Sequence, residues 1–211
     1  MSQPGGSRLV FWCGLVGCRK GALRRFTWII VVGLIFLGLR RATSPAAAAE
    51  ACLEQGGKIE LNSLRSPLLK LPMETRVYLP PCYAEHAQQR YPVLYLIHGQ
   101  NSNDDQWDRL GVDEVADRLI AAGEIPPFLI VMPRDRNWEQ PAEDLFGRVL
   151  IEELVPWVDG RYRTVDNRQQ RAIGGLSRGA GWAVHLGLSH PELFGRLGGP
   201  SRAVFWSETG K

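Results

Sequence analysis

A chain of 211 residues has room for one domain plus a leader, and its ordinary globular composition without repeats excludes fibrous and low-complexity architectures. The net charge of +3 misleads. Seven basic residues and no acid precede Glu50, so residues 50–211 hold 18 Lys+Arg against 22 Asp+Glu and carry −4, which gives no reason to expect a nucleic-acid partner.

The leader comes first. Residues 26–39, "FTWIIVVGLIFLGL", form an uncharged apolar run of 14. As a helix it would span about 21 Å, against a hydrocarbon core of about 30 Å. That is short for a spanning helix and suits the apolar region of a signal peptide. Basic residues precede it, and the small residues of "SPAAAAEAC" offer a cleavage site, for example after Ala49. Arg40 and Arg41 on the far side are unusual for a signal peptide and resist translocation, which leaves an uncleaved anchor as the alternative. Residues 1–49 are therefore expected to be a signal peptide or an N-terminal membrane anchor attached through 26–39. Residues 50–211 are expected to be an extracytoplasmic domain: secreted, periplasmic or membrane-anchored. Cys13 and Cys18 fall in the leader. Cys52 and Cys82 remain, and an even pair in an exported domain reads as a disulfide, with two buried free thiols as the other reading.

Two strands are expected within 57–80. In "ETRVYLPP", Thr75, Val77 and Leu79 alternate with Arg76, Tyr78 and Pro80, as in a half-buried strand. "PVLYLIHG" (92–99) and "FLIVMP" (128–133) are continuous apolar runs, the mark of strands buried on both faces. A helix is expected over 108–122, with Val112, Val115, Ala116, Leu119 and Ile120 on one face. A longer one fits 142–161, with Leu145, Phe146, Val149, Leu150, Leu154 and Val158 inward and a kink at Pro156. "RAIGGL" is a strand, 178–190 a helix, and "RLGGPSRAVFW" a last short strand. Alternating strands and helices predict an α/β fold with a mainly parallel sheet flanked by helices.

The chemistry centres on Gly175-Leu176-Ser177-Arg178-Gly179, a G-x-S-x-G pentapeptide between a buried strand and a helix. A serine hydroxyl needs a base to become a nucleophile, and it must stand clear of the sheet to be reached. A sharp strand-to-helix turn achieves this, and its crowding demands small neighbours, here Gly174, Gly175, Gly179 and Ala180. The backbone N–H of Arg178, at the helix start, is placed to stabilise an oxyanion. A second donor is expected from the loop after 92–99, where Gly99 lets the backbone approach and Gln100 offers its N–H. A structural glycine-rich turn is the bland alternative. No metal cluster, P-loop or dinucleotide fingerprint appears, so neither a metal nor a cofactor is implied.

The segments "VYLPPCY", "YPVLYLIHGQNSNDDQW", "FLIVMP", "EELVPWVDGRYRT" and "GGLSRGAGWAVHLGLSHPELFG" resemble, in this order, the putative-esterase family of α/β-hydrolases. That family includes esterase-D, enterochelin-esterase-like and feruloyl-esterase-like enzymes and the mycolyltransferases. The resemblance covers about residues 57–205. It implies an α/β-hydrolase fold, Ser177 as nucleophile, and Gln100 and Arg178 as oxyanion donors. It also implies a special role, such as the disulfide to Cys52, for Cys82, which stands where many members have glycine.

In this fold the acid and then the histidine follow the serine along the chain. After Ser177 there is no Asp, only Glu192 and Glu208, and the later histidines are His185 and His190. His185 is carried away from Ser177 along the helix, His190 ends it, His86 is in a polar turn, and His98 is expected to brace the oxyanion loop. No triad acid or base is assigned. The family's further strands and helices are also missing after Phe205. A C-terminally truncated, exported serine esterase with little activity is the expectation. Transfer of an acyl group to a sugar or lipid hydroxyl is one alternative. A non-catalytic, membrane-attached or binding remnant is the other, in which Trp107, Trp138, Trp157, Trp182 and Trp206 could stack on sugars.

Overall fold

The computed structural model describes residues 56–136 and 145–199. The leader, Cys52, Trp138, Trp206 and the end of the expected last strand lie outside the described residues. Six strands form one sheet in the order β1-β2-β4-β3-β5-β6. They are β1 (Lys58–Leu64), β2 (Met73–Leu79), β3 (Val93–Ile97), β4 (Leu129–Pro133), β5 (Arg171–Gly175) and β6 (Arg196–Gly198). β1 pairs antiparallel with β2, and β2 with β4. The pairs β3/β4, β3/β5 and β5/β6 are parallel.

Both faces of the sheet are covered, which explains the uninterrupted apolar runs of β3 and β4. Side chains alternate between the faces. Tyr95, Ile97, Leu129, Val131 and Ile173 pack on one side with Val149, Leu150, Leu154, Val158, Trp182 and Leu186. Leu96, Ile130 and Met132 pack on the other with Tyr78 and Ala116. The first layer comprises α3 (Phe146–Val149), a π-helical turn (Leu150–Leu154), α4 (Val155–Arg161) and α5 (Arg178–Ser189). The second comprises α1 (Gln106–Arg109) and α2 (Val112–Ala121).

Three helical expectations are corrected. The helix expected over 108–122 is broken at Gly111, whose φ of 77° is left-handed, so α1 and α2 are separate. Val115 and Leu145, placed inward by their spacing, are 40% and 38% exposed. The interruption expected at Pro156 takes the form of the π-helical turn just before it. Pro156 has no N–H to offer the carbonyl one turn back, and the ladder widens there.

Candidate active site

Because β3, β4 and β5 run parallel, their C-terminal ends share one edge of the sheet. Ile97 is in register with Gly175, so the loop beginning at His98 lies beside the turn that carries Ser177. In open α/β sheets this edge is where ligands bind.

Ser177 is exposed and has φ 52° and ψ −115°, a backbone conformation that L side chains rarely adopt. The turn is tied on both sides. Leu176 N donates to Ile97 O at 3.2 Å, and Gly179 N to Leu176 O at 2.9 Å. A Cβ on Gly175 would lie 2.3 Å from the carbonyl carbon of Gly179, and one on Gly179 would lie 2.2 Å from Ile97 O. The two flanking glycines are thus required by backbone against backbone.

The loop after β3 closes on this turn. A Cβ on Gly99 would lie 3.4 Å from Leu176 O and 3.8 Å from Ser177 Cβ. Gly99 N donates to Gln106 Oε1 at 2.7 Å. Gln100 follows, exposed, and its N–H makes no backbone hydrogen bond among the described residues. Arg178 opens α5 with its side chain buried. The first N–H groups of any helix have no acceptor within it, which suits them to a developing anion.

A buried network unites these loops. His98 is 1% exposed, and its Nε2 accepts from Asp135 N at 2.9 Å. The ring proton is therefore on Nδ1, which donates to Gly99 O at 2.7 Å. Asp135, in the loop after β4, accepts through Oδ2 from Arg178 Nε at 2.7 Å and from Trp182 Nε1 at 2.8 Å. Burial pushes the His98 pKa below the ordinary histidine value, although its hydrogen bond to Gly99 and the Asp135 charge oppose this. His98 thus ties the loop after β3 to the loop after β4.

All four histidines lie within the described residues, and none bonds Ser177. His185 packs edge-on against Trp182, with ring centroids 5.9 Å apart. His190 Nδ1 is 3.1 Å from Glu192 Oε1. His86 lines a cavity with Pro81, Cys82, Gln89 and Pro127, residues preceding the parallel strands and so at the opposite end of the sheet. Among the described residues no group of His, Cys, Asp and Glu is placed to hold a metal. Asp135 and Gln106 were not singled out from sequence. The one signal for Asp135 was the need of Arg178, at a crowded turn, for a buried anion.

A mixed sheet covered by helices on both faces, with a glycine-flanked serine at a strand-to-helix turn, defines the α/β-hydrolase fold. The chain belongs to the esterase family described as "Putative esterase", whose profile matches residues 66–211. It is 38% identical over 144 residues to the "Endo-1,4-beta-xylanase/feruloyl esterase" of Xylanibacter ruminicola, covering 63% of this chain and 20% of that protein. It is 33% identical over 113 residues to "Esterase Rv1288" of Mycobacterium tuberculosis, covering 49% and 23%. A solved ferulic acid esterase superposes with a TM-score of 0.63 at 31% identity, covering 69% of this chain and 57% of that one. The chain thus spans about a fifth of the length of these curated relatives.

Proposed function

We propose that this chain is a serine carboxylic ester hydrolase that forms an acyl-enzyme on Ser177. The single observation that carries the reading is the strained, exposed Ser177 between two glycines that tolerate no Cβ. In the reaction, Ser177 Oγ attacks the ester carbonyl and its proton leaves with the alcohol. Water then releases the acid. The amides of Gln100 and Arg178 receive the oxyanion. Esters of ferulic acid are the substrate class, supported by the names of the relatives.

No histidine among the described residues bonds Ser177, so none is placed to take the hydroxyl proton as Oγ attacks. Triads stripped of their members retain about 10³–10⁴-fold over water. Turnover of ethyl ferulate or p-nitrophenyl acetate by the purified chain is expected at that level or below. Fluorophosphonate should label Ser177 slowly, and Ser177→Ala should abolish labelling. Rapid turnover that is lost in His98→Ala or His185→Ala would overturn the account of the base. Labelling unaffected by Ser177→Ala would overturn the function.

Export rests on the apolar run 26–39 and its basic flank. N-terminal sequencing of the native protein should find either a start near Glu50 or a membrane-bound chain. A cytosolic chain beginning at Met1 would refute it.

A further inference from the structure

Asp135 stands in a charged run, "RDR", directly after β4, yet it is 1% exposed. Its backbone N–H holds His98 Nε2, and its Oδ2 holds both Arg178 Nε and Trp182 Nε1. His98 in turn holds Gly99 O. The two ends of this chain of bonds adjoin the two oxyanion donors: Gly99 precedes Gln100, and Arg178 follows Ser177. A buried ion pair is a weak source of net stability, because desolvating both charges offsets their attraction. Its clearer use is to set geometry. Oxyanion donors act only when held at a fixed distance from the reacting oxygen, and small misplacements are costly.

We propose that Asp135 is the positioning residue of the oxyanion site. It ties the loop that carries the Gln100 N–H to the helix start that carries the Arg178 N–H, and so fixes their separation. This rests on the reading of Ser177 as the nucleophile.

The test is saturation kinetics of fluorophosphonate labelling. Ser177 Oγ bonds to phosphorus, the P–F bond breaks, fluoride leaves, and the hydroxyl proton passes to solvent. The phosphoryl oxygen occupies the oxyanion position. Asp135→Ala should lower the maximal labelling rate at least about tenfold and change the half-saturating concentration by less than about twofold. Asp135→Asn keeps an oxygen acceptor for both donors and should recover most of the loss. Equal maximal rates in wild type and Asp135→Ala, measured well below melting, would leave Asp135 a merely structural role and overturn the proposal. If wild type is not labelled, or Ser177→Ala is labelled equally, the nucleophile reading fails instead. Amide hydrogen exchange then decides on Asp135. In Asp135→Ala, or in the isosteric Asp135→Leu if the alanine variant does not fold, the Gln100 and Arg178 amides should exchange faster than in wild type, while those of β1 and β2 stay unchanged and Asp135→Asn exchanges much as wild type does. Unchanged exchange at Gln100 and Arg178 in the alanine or leucine variant would refute the proposal.

Discussion

Gly179 and Ile97 meet backbone to backbone: a Cβ on Gly179 would stand 2.2 Å from the Ile97 carbonyl oxygen and 2.5 Å from that of His98. Neither oxygen can move without disturbing β3 or the loop after it. Alanine elsewhere in a helix gains up to about 1 kcal/mol over glycine. Overpacking against backbone costs about 1–3 kcal/mol and wins here. Gly179→Ala should unfold at lower urea concentration than wild type. An unchanged or higher midpoint would show that the elbow can relax.

Ser177 gives the opposite sign. Its positive φ costs on the order of 1–3 kcal/mol for a residue with a Cβ, and glycine escapes that cost. Glycine's extra freedom in the unfolded chain takes back about 0.5–1 kcal/mol. Ser177→Gly should therefore be more stable than wild type by about 1 kcal/mol while losing all fluorophosphonate labelling. Thermal melting would reveal it, and a lower melting temperature would mean that the turn is not strained.

His98 couples the site to pH. Its folded pKa lies below the ordinary value of about 6.5, chiefly through burial. The unfolded chain therefore binds more protons in the window between the two values. The stability contributed by neutral His98 is present in full above about pH 6.5 and is lost as pH falls towards the folded pKa. Protonation also removes the Nε2 acceptor of the Asp135 N–H. The stability difference between wild type and His98→Gln should shrink from pH 7 to pH 5 in urea titrations. A difference that stays flat would place the proton elsewhere.

Cys82 is buried with a φ of 64° in the turn that follows β2, and Cys52 lies outside the described residues. A bond between them would close a loop that contributes about 3–4 kcal/mol. Peptide mapping without reduction should recover the two cysteines as one cross-linked species, and dithiothreitol should lower the unfolding midpoint. Recovery of both as free thiols would end the idea.

The elbow was legible because its chemistry is local. Crowding within five residues demands glycine, and the pentapeptide shows it. β3 and β4 were legible because burial on both faces leaves an uninterrupted apolar run. Asp135 was not, since a carboxylate between two arginines reads as a solvated turn. Its burial depends on β4 ending beside β3 in space, with Arg178 more than 40 positions later. Val115 and Leu145 misled for a related reason. Helical spacing defines a stripe, but the width of sheet available decides how much of the stripe is covered.

The parallel register of β3, β4, β5 and β6 also shapes how the chain finds its structure. Each parallel pair joins segments separated by a crossover, so loop closure precedes any gain from pairing. β1 and β2 alone among the described strands pair with their neighbour in sequence through a short connection, residues 65–72. That hairpin can form within microseconds, about 1–10 μs for an isolated one, whereas a core of non-local pairs assembles on the order of milliseconds to seconds. Nascent chains should therefore carry a hairpin long before they carry an elbow, and Ser177 acquires its strained backbone only when β3 and β5 meet.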